Sequence, residues 1–174
     1  MGNTNRISLT IRHVREEDAA SIIALLNPII KAGTFTVIDE VCSIEDQIDF
    51  IRGLPERSIY NIALCPDTGR ALGIQDVLPV SYTSRALRHV GEISTFISLH
   101  MRGKGIGSRL METTCHQAFA LGYLKIMALI RADNPQAVSF YSQQGFSLVG
   151  IAKEHARVRN EYIDEIIMER HLRH

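Results

Sequence analysis

Seven residues in the middle of the chain, Arg102-Gly103-Lys104-Gly105-Ile106-Gly107-Ser108, set three glycines at alternate positions between two segments of different hydrophobic period. Before them, His89 to Leu99 carries Val90, Ile93, Phe96 and Ile97, a strand pattern whose alternation slips once near Thr95 to Ile97, as at a bulge. After them, Ile106, Leu110, Thr114 and Ala118 recur at helical spacing, and Gly122 closes the pattern behind Leu121. A strand that passes through such a turn into an amphipathic helix must fold that helix back onto the sheet. Glycine allows the sharp turn and lets a ligand approach main-chain N–H groups with no Cβ in the way. Those groups, with the positive end of the helix dipole, form an anion cradle to which Arg102 and Lys104 add local charge.

The remaining segments build a sheet around this turn. Thr4 to Arg12 alternates Ile7, Leu9 and Ile11 with Ser8, Thr10 and Arg12, the period of a half-buried strand. Arg15 to Lys31 opens on Glu16, Glu17 and Asp18 and carries Ile22, Ile23, Leu26 and Ile30, a helix stopped near Gly33. Ser43 followed by Glu45, Asp46 and Gln47 starts a second helix that ends at Gly53. Ser58 to Cys65 and Ala71 to Tyr82 flank Pro66-Asp67-Thr68-Gly69 and predict an antiparallel hairpin. Beyond the glycine turn and its helix, the pattern predicts a strand over Leu124 to Ile130 and a helix over Pro135 to Gln144. Strands over Phe146 to Arg157 and Tyr162 to Arg170 complete the order. The expected fold is α/β (α+β), one domain over residues 1–174, with a mixed central sheet of about seven strands, a bulged fourth strand and about four flanking helices.

Composition narrows the function. Nineteen Lys plus Arg against nineteen Asp plus Glu leave no bulk attraction to nucleic acid or anionic membrane, so any polyanion must be gripped locally. The longest uncharged stretch, Asn134 to Ala152, is too rich in Asn, Gln, Ser and Gly for a bilayer core, and Arg12 interrupts the first apolar run too early for a signal peptide. The expected address is cytoplasmic. Cys42, Cys65 and Cys115 share no metal-type spacing, the seven His include no HExxH, and no metal is expected. Cys115 and His116 are adjacent on a helix and diverge by about 100°, which argues against a Cys-His nucleophile pair.

The turn lacks the Gly-x-x-x-x-Gly-Lys-Ser/Thr of a Walker loop, and the positions where a dinucleotide fingerprint needs its third glycine hold Leu110 and Ser108. Arg102-x-x-Gly105-x-Gly107 instead resembles the pyrophosphate-binding motif of the GCN5-related N-acetyltransferases (GNAT). A second stretch, Asn134-x-x-Ala137-x-x-x-Tyr141-x-x-x-Gly145-Phe146, is similar to that family's helix beside the pantetheine arm. The resemblance covers nearly the whole chain, from Ile11-Arg12 to Tyr162-x-Asp164-x-x-x-Met168. It implies acetyl-CoA as acyl donor, held by Phe96, Ile97, Arg102, Gly103, Lys104, Gly105, Ile106, Gly107, Ser108, Asn134 and Tyr141. It also implies an enzyme, often a homodimer, that transfers acetyl directly to an amine within a ternary complex.

Three residues are assigned to the chemistry. The freed backbone N–H of Ile97 would polarise the thioester carbonyl. Tyr141 would face the sulfur as general acid, since its reference pKa of about 10 exceeds a thiol's of about 8.5; the alternative is a core tyrosine beside Phe140. Glu92 would take the amine proton, directly or through water, or else is a solvated strand-end charge. The acceptor is expected to be a small molecule, with Thr34, Phe35, Arg85, Arg88 and Glu92 around it. Arg85 and Arg88 would fork a carboxylate, or are simply solvated loop arginines.

Within the family, Asn27-x-x-Ile30, Gly33-Thr34 and Glu92-Ile93-Ser94 look like the branch of phosphinothricin and amino-acid N-acetyltransferases. The chain departs from that branch at Tyr141, where His is usual, at Leu99, where Pro is usual, and at Arg159-Asn160-Glu161-Tyr162. The other readings open at this point are N-acetylation of a protein or peptide N-terminus and a non-catalytic acyl-CoA-binding domain.

Overall fold

The structure, a computed structural model, describes residues 8–172. Seven strands and four α-helices appear among the described residues: β1 (Thr10–His13), α1 (Ala19–Ala32), α2 (Ile44–Arg52), β2 (Ile59–Leu64), β3 (Ala71–Pro79), β4 (Val90–Ile97), α3 (Ile106–Ala120), β5 (Lys125–Arg131), α4 (Pro135–Gln143), β6 (Ser147–Val158) and β7 (Glu161–His171). The part of the expected first strand at residues 4–7 lies outside the described residues.

Local chemistry sets the helix ends as the spacing predicts. Ser43 and Asp46 form a reciprocal capping box: the Asp46 N–H donates to Ser43 Oγ at 3.0 Å and the Ser43 N–H to the Asp46 carboxylate at 2.8 Å. Gly33 ends α1 in the left-handed region at φ 75°, where a Cβ would be strained. The acidic run Glu16–Asp18 forms a single 3-10 turn ahead of α1 instead of its first α-helical turn. Asp18 is drawn away by Arg12 of β1, whose guanidinium donates to both of its carboxylate oxygens at 2.7 Å.

The strands form one sheet in the order β1-β2-β3-β4-β5-β7-β6, antiparallel except for the parallel β4–β5 pair. The irregularity expected in β4 takes a different form from a bulge. Against β3 its register runs without interruption from Pro79↔Gly91 to Gly73↔Ile97. On its other side β5 pairs with it only at Val90, Gly91 and Glu92 and then diverges, while keeping its register with β7 along its whole length. The slip in the sequence pattern therefore marks a splay between strands, not an extra residue.

Alternation along the strands divides the sheet into two faces. Asn61, Ala63, Gln75, Val77, Ile93 and Ala128 face α3 and α4, where they meet Leu110, Met111, Ala118 and Tyr141. Tyr60, Ile62, Ile74 and Phe96 face α1 and α2 and pack on Ile22, Leu25 and Ile29. A buried polar tie fastens α3 to the sheet, Asn61 Nδ2 donating to Thr114 Oγ1 at 2.9 Å and to Gln117 Oε1 at 2.7 Å. Leu110 is completely buried in the layer under the glycine turn. Leu110→Ala is expected to lower stability by about 2–5 kcal/mol in urea unfolding, the usual cost of a truncated core leucine whose site cannot collapse.

Candidate active site

The glycine turn delivers the geometry its composition predicts. Gly103 and Gly105 sit at φ 71° and 78°, with nothing within 4 Å of where a Cβ would stand. Gly105 is the N-cap of α3, makes no side-chain cap, and its carbonyl takes its helical bond from the Arg109 N–H at 3.2 Å. The preceding N–H groups of Ile106, Gly107 and Ser108 are therefore the unpaired donors of the first turn. Gly107 serves packing: a Cβ there would stand 2.9 Å from the Phe140 ring of α4.

A cavity of about 910 Å³ opens in front of this turn, between β4 and α4. Its wall includes Phe96, Ile97, Arg102, Gly103, Gly105, Ile106, Gly107, Ser108, Asn134 and Tyr141. An uncapped helix N-terminus beside an arginine and a long slot suits a diphosphate with an extended arm, so the residues present fit acetyl-CoA. Lys104 lies outside that wall, its ammonium 3.7 Å from the Met101 sulfur. Asn134 caps α4, its Oδ1 accepting from the Ala137 N–H at 3.2 Å.

The splay explains how a backbone N–H becomes available without a bulge. The Val80 N–H bonds the Val90 carbonyl and the Ser98 N–H bonds the Leu72 carbonyl, so the even-numbered residues of β4 spend their main-chain groups on β3. The odd-numbered ones, Thr95 and Ile97 included, turn theirs to the side that β5 has left. Tyr141 reaches this side from α4. Its hydroxyl lies 3.0 Å from Thr95 Oγ1, which in turn accepts from Gln75 Nε2 at 2.9 Å. Edge-on contacts with Phe140 and Phe146, at centroid separations of 5.1 and 5.0 Å, hold the ring. Burial pushes the phenol well above its ordinary range, so its proton is kept at any working pH.

A second cavity of about 230 Å³ adjoins the first and shares Phe35, Thr95, Phe96, Asn134, Ala137 and Tyr141 with it. Glu92, Ser94, Arg131 and Glu165 lie on its wall. The Glu92 carboxyl is solvent-accessible at the mouth, yet burial and the charge of Glu165 push it above the usual carboxylate range. The segment after α1 roofs this space and is held from four sides. Arg159 caps the end of α1 through the Ile30 and Lys31 carbonyls, Arg131 Nη1 donates to the Thr36 carbonyl at 3.1 Å, and Arg102 stacks on Phe35 at 3.9 Å. Asn27 exchanges two hydrogen bonds with the Cys42 backbone.

Of the residues expected around the acceptor, Glu92 and Phe35 line this second cavity and Thr34 adjoins it in sequence only. Arg85 and Arg88 do not reach it: both are exposed, in and just after the 3-10 turn Arg85–Leu87. Asp76 was not expected. It lies on β3, paired in register with Ser94, 8% exposed, and burial followed by the charge of Glu92 raises its carboxyl to about 7. The signal was present as Gln75-Asp76, two polar residues inside an otherwise apolar strand. Among the described residues no group of three or more His, Cys, Asp or Glu could hold a metal ion, and no helix is long and apolar enough to cross a membrane.

A seven-stranded sheet parted beside a glycine turn, with a tyrosine at the junction of a long slot and a smaller acidic cavity, defines an acyl-CoA-dependent transferase. The family model described as Acetyltransferase (GNAT) domain matches residues 11–167, and the chain belongs to this family of N-acetyltransferases. A Bacillus subtilis (strain 168) protein provisionally named phosphinothricin acetyltransferase YwnH is 26% identical over 165 residues, which are 94% of this chain and 99% of that protein. A crystal structure provisionally named phosphinothricin N-acetyltransferase superposes with a TM-score of 0.85 at 26% identity, covering 96% of this chain and all of the other. The phosphinothricin acetyltransferase from Sinorhizobium meliloti, solved with acetyl-CoA, shares the fold at a TM-score of 0.84 and 24% identity, covering 94% and 88% of the two chains.

Two outcomes test the site. Ser108→Glu places a carboxylate on an exposed first-turn position that suits the helix dipole, so the fold should hold while acetyl-CoA affinity, measured by calorimetry, falls at least about tenfold. Asp76 holds its proton more tightly when folded than when unfolded. Its contribution is therefore most favourable below about pH 4 and is lost as the pH rises towards about 7. Asp76→Asn should gain stability over the parent across that interval, by up to about 1.4 kcal/mol per pH unit, in urea titrations at pH 5 and pH 8.

Proposed function

We propose that this enzyme transfers an acetyl group from acetyl-CoA directly to the primary amine of a small acceptor. The observation that carries the reading is the position of Tyr141, on the wall shared by the two cavities and hydrogen-bonded to Thr95 where β5 has left β4. Bound acetyl-CoA would supply the thioester. The α3 N-terminus and Arg102 bind its diphosphate, and the β4 edge and Asn134 orient its arm. Ile97 N–H stabilises the charge that develops on the acetyl oxygen. Glu92 accepts, directly or through water, the proton shed as the amine nitrogen bonds to the acetyl carbon. Burial and the charge of Glu165 raise its affinity for that proton. Tyr141 gives its proton to the sulfur as the carbon–sulfur bond breaks, so that one proton passes overall from amine to thiol. Gln75 donates to Thr95, whose hydroxyl hydrogen is then available to Tyr141, and in that arrangement the Tyr141 hydrogen is available to the sulfur.

A cytoplasmic homodimer belongs to the same reading. Leu148, Val149 and Ile151 are more than half exposed on the edge strand β6, a surface that a second copy would cover and that sedimentation would report.

Acetyl-CoA at 100 times its dissociation constant should stabilise the protein by about 2.7 kcal/mol, read as a rise in Tm that NAD and ATP do not produce. Tyr141→Phe keeps the ring packing and should retain that rise while turnover falls about 10²- to 10⁴-fold. Turnover within about threefold of the parent would make Tyr141 a packing residue only.

A further inference from the structure

The charge on the smaller cavity is mainly acidic. Among the described residues Glu92 and Glu165 line it against one cation, Arg131, which is already engaged. Its Nε and Nη2 fork is closed on Asp133 at 2.9 and 2.6 Å, and its Nη1 is spent on the Thr36 carbonyl. A substrate carboxylate or phosphinate would therefore meet two carboxylates and no free fork.

Glu165 itself calls for a partner. It is 5% exposed, yet among the described residues its carboxylate makes no hydrogen bond, and its one ion-pair contact is the long one with His155 Nε2 at 3.8 Å. Arg131 stands opposite it in the β5–β7 register, but turns its fork to Asp133. The Glu165 oxygens open on the cavity and feel the charges of His155 and Arg131 without a hydrogen bond from either. A cation entering the cavity would find an acceptor there that no side chain among the described residues has bonded. The wall that Glu165 and Tyr141 share also carries Phe35, Ile93, Phe96, Leu129 and Ile130, apolar surface against which methylene groups can lie.

Resting on the acetyltransferase reading above, we infer that the acceptor is a short amine bearing a second cationic centre, such as an α,ω-diamine. Its reacting nitrogen lies towards Tyr141 and Glu92, and its second cation on Glu165. The acidic wall sets this chain apart from an acceptor like phosphinothricin, an amino acid that carries two anionic groups.

The test compares diamines of three to six methylenes, n-alkyl monoamines of matched length, and amino acids including phosphinothricin, by thiol release from acetyl-CoA. Diamines should exceed both other sets at least about tenfold in kcat/KM. In Glu165→Gln the ratio of diamine to monoamine kcat/KM should fall to about one, with the change in diamine KM, because the loss of the Glu165 charge beside Glu92 acts on both amine sets alike. Val37→Lys, at an exposed position on the cavity wall, should lower diamine kcat/KM more than monoamine kcat/KM. Amino acids equal to or better than diamines, or a diamine preference untouched by both substitutions, would overturn the inference. Calorimetry of a diamine titrated into the CoA-loaded parent protein and into CoA-loaded Glu165→Gln separates binding from turnover. Binding that depends on Glu165 without transfer to any amine would reject the acetyl-transfer reading alone, whereas no diamine binding rejects the inference whatever the rate assays show.

Discussion

Everything functional in this molecule depends on β4 and β5 sharing only three register pairs before they part. A parallel pair that continued would bury the Thr95 and Ile97 main-chain groups in ladder hydrogen bonds and close the sheet. β5 stays with β7 on its other edge through all seven register pairs while it leaves β4 after three, so the odd-numbered edge of β4 faces a gap. β3 holds the even-numbered residues in unbroken register, Arg102 Nε donates to the Ile97 carbonyl at 3.4 Å, and α4 brings Tyr141 to the Thr95 side chain. The gap joins a long slot leading to the glycine turn to a smaller acidic space under the loop after α1.

Arginine positions that loop. Arg102, Arg131 and Arg159 come from the glycine turn, the end of β5 and the β6–β7 hairpin, and all three converge on residues 30–36. Two of them bond backbone carbonyls, which any side-chain sequence would offer, so the arrangement depends on where the chain passes more than on which residues it carries. Arg102 lines the slot while its guanidinium stacks on Phe35, which lies on the wall of both cavities. The local positive charge expected for an anion is thus coupled physically to the loop after α1.

Electrostatics around the junction run in one direction. Burial raises the carboxyls of Asp76, Glu92 and Glu165 and the phenol of Tyr141, and Asp76 and Glu92 each feel a neighbouring carboxylate as well. A carboxyl with raised affinity for protons and a phenol that keeps its own thus share the wall of the smaller cavity, the pairing on which the proposed proton transfer rests.

The amino-acid sequence by itself determined the elements and the anion turn, because these rest on interactions within a few residues. Period-two and period-3.6 patterns, the Ser43 capping box, the Gly33 stop and the left-handed glycines 103 and 105 are local facts. The resemblance through Arg102-x-x-Gly105-x-Gly107 and Asn134 to Phe146 then identified the family. The splay is legible in the sequence only as a slip in alternation, which reads as a bulge, since one strand's period cannot reveal that its neighbour leaves. The resemblance puts Arg85 and Arg88 beside the acceptor, whereas the tertiary structure leaves both exposed and off the walls of both cavities. Glu165 and Arg131 are far from Glu92 along the chain and meet its cavity only because β7 runs beside β5. Which charges face the smaller cavity is thus a property of strand order, and strand order is decided by packing over the whole sheet, not by any local stretch of residues.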